Sequence, residues 1–172
     1  MNLYLMRHAI AVASDEEVLE SDSERPLSAK GIKRLRRATR GLRRLEIPFD
    51  SLLTSPATRA RQTADILAEH LDLERKLEEI SGLAPENSVD NLMFGLTRFR
   101  SCEHLLLVGH EPLLSHTAVF LLGAKKNESF GIELKKGGIC RIEIDGLPPD
   151  QPGTLHWLLA PKHLRLLGAR LK

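Results

Sequence analysis

Short apolar runs separated by longer stretches of helical period fix the fold class of this chain before any single residue is weighed. Runs at 3–6, 51–54 and 105–108 are each four residues long and mostly apolar, as strands buried on both faces are. Two later runs, 138–144 and 154–159, complete the set. The first of these alternates apolar and polar residues, which predicts a half-exposed strand toward a sheet edge. Between the runs, Ile32, Leu35, Thr39, Leu42 and Leu45 recur at helical spacing, as do Ala60, Ala64, Leu67 and Leu71. Further helices are predicted over 89–99 and 113–122. The polar, acidic stretch 14–23 reads as a loop, and the Pro-, Asp- and Gly-rich stretch 146–153 as a turn between the last two strands. Strands alternating with helices predict an α/β fold, a three-layer α/β/α sandwich with a mostly parallel central sheet. With 172 residues and no internal repeat, the chain is expected to form a single domain over 1–172.

Composition narrows the function classes. An apolar fraction of 42% and a charged fraction of 28% are those of an ordinary globular protein. A net charge of +2 gives no general argument for nucleic acid. The apolar runs fall well short of the ~18 residues that a membrane span needs. Cys102 and Cys140 lack metal-type spacing and read as reduced thiols. The sequence opens directly on strand-like residues without the regions of a signal peptide, so a cytoplasmic location is expected.

In sheets of this kind, ligands gather where strands end at their carboxyl edges and helices begin. The run 3–6 delivers Arg7 and His8 to that edge. The run 51–54 leads to Ser55, a good N-cap, and Pro56, suited to a first helical position, with Arg59 just beyond. Arg61 lies about 200° around the helix from Arg59, so only one of them can face the edge. The run 105–108 leads to Gly109, which would let the backbone turn tightly, then to His110, Glu111 and the helix-opening Pro112. In the segment SDSERPLSAKG, Ser28 is a helix cap, and Arg25 can either reach the same edge or pair with Asp22 or Glu24. Two arginines and two histidines at three strand ends suit recognition of a tetrahedral oxyanion. Guanidinium forks and helix N-termini both favour phosphate oxygens, and neutral imidazole is a competent nucleophile at pH 7.

The segments LMRHA, SDSERPLSAKG, SPATRARQTA and VGHEP occur in an order and spacing that resemble the histidine phosphatase superfamily. The SDS-x-RPL segment, the short chain and the late HWLLAPKHL resemble its phosphohistidine phosphatase (SixA) branch most. The resemblance implies a phosphoglycerate mutase-like fold and a phosphatase acting on phosphohistidine in proteins through a phosphohistidine enzyme intermediate. It makes His8 the nucleophile, Arg7 and Arg59 the clamp on the phosphoryl oxygens, and His110 a further donor to them. Arg25 becomes a candidate substrate contact. Two features depart from the family pattern. Ala9 stands where many members have glycine. Glu111 occupies the position in which acid phosphatases carry their acid, but a carboxylate there also suits a helix dipole. Glu78 and Glu79 are weaker candidates for the acid, and a phosphohistidine substrate lessens the need for one, because imidazole can leave protonated.

The scheme requires no metal or other cofactor, and neither HExxH nor a paired CxxC is present. The expected partner is a phosphorylated protein such as a histidine phosphotransfer domain, not nucleic acid or a membrane, and the chain is expected to be a monomer. Alternatives are a phosphatase for small phosphate esters or phosphoserine/threonine, and a non-catalytic phosphate-binding module. The basic run 30–45 reads as the solvated face of an amphipathic helix.

Overall fold

The computed structural model describes residues 1–13, 21–123 and 131–169. The strands are β1 (Asn2–Arg7), β2 (Ser51–Thr54), β3 (Leu77–Glu79), β4 (His104–Gly109), β5 (Ile139–Glu143) and β6 (Thr154–Leu159). They form one sheet in the order β3-β2-β4-β1-β5-β6. The first four run parallel, β5 pairs antiparallel with β1, and β6 pairs antiparallel with β5. The helices are α1 (Ala29–Arg43), α2 (Thr58–Leu71), α3 (Val89–Leu96), α4 (Leu113–Leu121) and α5 (Pro161–Leu167).

Strand alternation decides which helices cover which face. Leu3 and Leu5 of β1 point into a core closed by α3 and α4, through Leu92, Leu96, Leu114 and Ala118. Tyr4 and Met6 point the opposite way, onto Leu35 and Leu42 of α1, Ala64 and Leu67 of α2, and Leu164 of α5. Both faces are therefore apolar and both are covered, as the short apolar runs require. The result is the predicted three-layer α/β/α sandwich.

Three sequence expectations change. The alternating strand β5 does not lie at the edge; it sits between β1 and β6, with Ile139, Cys140 and Ile142 buried. Its register shifts at Arg141, whose Nε donates to Asn2 Oδ1 at 2.8 Å, and the exposed edge is β6. Leu77, Glu78 and Glu79 form a strand that no apolar run announces. The helix expected over 89–99 ends at Leu96 and continues as a 3-10 turn over Thr97–Phe99. Of the predicted loop 14–23, residues 14–20 lie outside the described residues, and Asp22–Glu24 forms a 3-10 turn. The stretch 146–153 does connect β5 to β6, with the Asp145 carboxylate accepting from the amides of Asp150 and Gln151. Among the described residues, no helix is long and apolar enough to cross a membrane.

Helix α1 is tied closely to the loop that follows β1. Ser28 caps it by accepting from Gly31 N at 3.1 Å. Gly31 lies so near the backbone that a Cβ there would stand 2.0 Å from the Ile10 carbonyl oxygen. Gly31→Ala is therefore expected to push Ile10 away, two residues from His8, and to destabilise the fold by about 1–3 kcal/mol. Urea unfolding of the two proteins would measure this.

Candidate active site

The parallel register brings three strand ends together. β1 and β4 pair with Arg7 opposite Gly109, and His8 N donates to Gly109 O at 3.0 Å. On the other side of β4, Ser55 N donates to Val108 O at 3.0 Å, which sets the start of α2 beside His110. His8, Arg59 and His110 are all buried, and the two imidazole centroids lie 5.0 Å apart with the rings inclined at 50°. The helix α2 begins later than the sequence suggests. Ala57 is its N-cap, and Ser55 Oγ accepts from Ala57 N at 3.2 Å instead of capping the first turn. Arg59 consequently falls at the second helical position, while Arg61 points outward to Asp65 at 2.9 Å and Glu79 at 3.7 Å.

The two histidines are held in defined states. His8 Nδ1 donates to the Ala9 carbonyl at 2.7 Å, which leaves Nε2 with a lone pair and no hydrogen bond among the described residues. Burial pushes the His8 pKa down to about 4, and the charges of Arg59, Arg7 and Lys136 push the same way against the opposing pull of the Ala9 carbonyl. Burial, with His8, Arg59 and Arg7, pushes His110 down to about 3. Both rings are neutral at pH 7. His110 Nε2 lies 2.8 Å from Ser55 Oγ. That oxygen already accepts from Ala57 N, so its own proton is available to Nε2, and neutral His110 then carries its hydrogen on Nδ1.

The arginines converge on the same place. Arg7 Nη1 donates to Leu134 O at 3.0 Å. Arg59 Nη1 donates to Asp22 O at 2.6 Å, and its Nη2 pairs with Asp22 Oδ2 at 2.9 Å. The other oxygen of that carboxylate holds Arg25 Nη2, also at 2.9 Å. The two readings of Arg25 thus meet in one geometry: it pairs with Asp22 and, through it, stands beside Arg59. Among the described residues, the buried side-chain N and O atoms without a hydrogen-bond partner are Arg7 Nε, Arg25 Nε, Arg59 Nε, His110 Nδ1 and Glu111 Oε1. Unsatisfied buried polar atoms are rare in folded proteins and call for a specific explanation. Here four of the five are donors, and every one belongs to a residue that the sequence singles out.

Several supporting contacts are invisible in the sequence because they cross between elements. Thr63 Oγ1 donates to Arg59 O at 2.6 Å and accepts from Ala9 N at 3.1 Å, joining α2 to the loop that follows His8. Gln62 Oε1 accepts from Leu27 N at 2.7 Å and fixes the Arg-Pro-Leu segment. Gly137 N donates to both the Arg7 and His8 carbonyls at 3.0 Å. Gly109 serves proximity, not a tight turn. Its φ is not positive, but a Cβ would stand 3.2 Å from Leu114 and 3.3 Å from Leu83. Ala9 is not at positive φ either, so glycine is not required there. Glu111 precedes α4, and its Oε2 accepts from Ser115 N at 3.3 Å and from the Ser115 hydroxyl. These bonds fit the helix-terminus role, and they leave Oε1 buried without a partner among the described residues. Glu78 and Glu79 pair outward with Arg98 and Arg61.

A buried pair of neutral imidazoles flanked by arginines at the carboxyl edge of such a sheet defines an oxyanion site of the phosphatase type. The chain belongs to the histidine phosphatase superfamily (branch 1), to which residues 3–86 match. It is 37% identical to an uncharacterized protein of Picosynechococcus sp., over 95% of this chain and 99% of that one. It is also similar to the phosphohistidine phosphatase SixA of Escherichia coli, 25% identical over 98% of this chain and 99% of that protein. Among solved structures, the protein histidine phosphatase SixA complexed with tungstate superposes with a TM-score of 0.82 at 25% identity, covering 95% of this chain and 99% of that one. Fold and family thus agree with the resemblance carried by the sequence motifs.

Proposed function

We propose that this protein is a phosphatase that removes phosphoryl groups from phosphohistidine in proteins, with His8 as the covalent acceptor. The observation that carries the reading is the set of unpartnered buried donors on Arg7, Arg59 and His110 beside a His8 Nε2 that is neutral and unbonded. A phosphoryl group supplies the oxygens that those donors lack. Phosphoryl transfer asks the protein chiefly for positioning and for charge stabilisation around the equatorial oxygens.

In the first step, the His8 Nε2 lone pair forms a bond to phosphorus while the substrate's N–P bond breaks and its electron pair returns to the leaving imidazole. That imidazole leaves as a neutral ring when its other nitrogen carries a proton. Arg7, Arg59 and the His110 Nδ1–H hold the three phosphoryl oxygens. In the second step, water attacks phospho-His8, the new N–P bond breaks, and phosphate departs with His8 restored. The Nδ1–H bond to Ala9 O keeps the ring in one tautomer and orientation throughout. Asp22, which bridges Arg59 and Arg25, is a positioning residue for the clamp. Glu111 steadies the turn that carries His110 and is not needed as an acid, because imidazole is a good leaving group. The similar SixA structure holds tungstate, a tetrahedral oxyanion, and that supports an anion site of this kind.

The test compares phosphate release from a phosphohistidine protein, a phosphoserine peptide and an aryl phosphate. The proposal expects kcat/KM for the phosphohistidine protein to exceed that for the phosphoserine peptide by at least about tenfold. Equal rates on all three would favour a general phosphate-ester phosphatase. Binding of phosphate without release from any of them would favour a non-catalytic module.

A further inference from the structure

A small cleft of about 40 Å³ opens beside the loop after His8, with Ala9 and Ile10 on one wall. Three cations from three separate elements line it: Arg34 of α1, Arg165 of α5, and Lys136 in the turn before β5. Among the described residues, no acidic and no aromatic side chain lines the cleft. Arg34, Lys136 and Arg165 have no ion pair or hydrogen bond among the described residues; the same holds for Lys33, Arg36, Arg37 and Arg40 of α1, whereas several other surface cations are paired. Arg43 is paired with Asp72, Arg61 with Asp65, Arg98 with Glu78 and Lys135 with Glu133. The geometry holding the three together is rigid. Gly31 lets α1 press on Ile10, and a Cβ on Gly41 would meet Leu164 O of α5 at 1.9 Å, so α1, α5 and the His8 loop are in backbone contact. Lys136 is close enough to the site for its charge to be felt at His8.

We propose that this cleft is an anion subsite that receives an acidic side chain of the protein substrate, next to the phosphorylated histidine. The inference rests on the phosphatase reading above and narrows it to phosphohistidine proteins carrying aspartate or glutamate beside the modified residue. Like-signed cations left unpaired around one concave spot are costly to the free protein and favourable to an incoming carboxylate. Such charges set encounter rate and partner choice more than chemistry. A nucleic acid fits the cleft less well, since it offers no ring on which a base could stack. Of the basic run 30–45, Arg34 is the cation that lines this cleft.

The experiment uses two phosphohistidine peptides of equal length, one with glutamates and one with lysines flanking the phosphohistidine, together with an aryl phosphate. The wild-type protein is expected to show kcat/KM at least about tenfold higher for the glutamate peptide, an advantage that shrinks as ionic strength rises. Arg34→Glu/Arg165→Glu should erase or invert that preference and keep aryl phosphate hydrolysis within about twofold of wild type. Arg34→Gln/Arg165→Gln, a milder pair, should erase it without inversion. Equal use of both peptides by the wild type, or a preference that survives either double substitution, would overturn the subsite. So would RNA inhibition of aryl phosphate hydrolysis that the substitutions relieve, if no peptide preference accompanies it. A wild type that hydrolyses none of the three would refute the phosphatase reading instead. Binding of the two peptides, made with a non-hydrolysable phosphohistidine analogue, then tests the subsite by affinity alone, with the same expected preference.

Discussion

Replacing His8 with alanine is expected to lower phosphate release by at least about 10⁴-fold, while leaving affinity for inorganic phosphate within about threefold. The asymmetry follows from the division of labour in the site. In the proposed mechanism the anion-binding donors sit on Arg7, Arg59 and His110, and none of the contacts that hold them involves the His8 ring. Arg59 is anchored by Asp22 and by its own helix, and His110 by Ser55. His8, in the proposed mechanism, contributes the lone pair that bonds to phosphorus. A variant that loses turnover and phosphate affinity together has lost the fold of the site; calorimetric titration with phosphate beside the rate assay separates the two cases.

The second large effect is on acid stability. Burial pushes His8 to about 4 and His110 to about 3, against an unfolded-state value near ~6.5. Between those values the unfolded chain binds more protons than the folded one, so stability is full above pH ~6.5 and falls as the pH drops toward 4. For His8 alone the loss reaches on the order of 3 kcal/mol once both states are protonated. Thermal unfolding across pH 4 to 7.5 is expected to show a steep decline that His8→Asn flattens. Proton NMR of the free protein should place both imidazoles well below ~6.5, and saturating phosphate should raise them, because a bound anion favours the imidazolium. Titration of His8 near ~6.5 in the free protein would contradict the buried, arginine-flanked site.

What the sequence makes legible follows from how local each signal is. The four-residue runs of β1, β2 and β4 are readable because both faces are covered, so that most positions are apolar. β3 is unreadable because Leu77, Glu78 and Glu79 line the sheet edge, half exposed, with no apolar pattern to mark them. β5 misleads for a different reason. Its polar residues find partners although β6 covers its outer edge: half-buried Arg141 donates to Asn2, and exposed Glu143 meets His156 of β6. The same logic divides the site. Arg7, His8, Arg59 and His110 stand immediately after strands or at a helix start, where chain order alone brings them to one edge. Their partners are chosen through space. Ser55 looks like a helix cap but serves His110. Thr63 and Gln62 look like ordinary helical residues yet hold the loops of Ala9 and Leu27. Asp22 could be named as a partner for Arg25, but nothing local says that it also anchors Arg59.

The central claim is that the phosphoryl group passes through His8. It is tested most directly by mixing the protein with a ³²P-labelled phosphohistidine protein, quenching in alkali within a single turnover, and mapping the label by peptide digestion. The account predicts an alkali-stable, acid-labile label on the peptide that carries His8, absent from His8→Ala. Phosphate release at the wild-type rate with no label on His8, or with label on another residue, would contradict it.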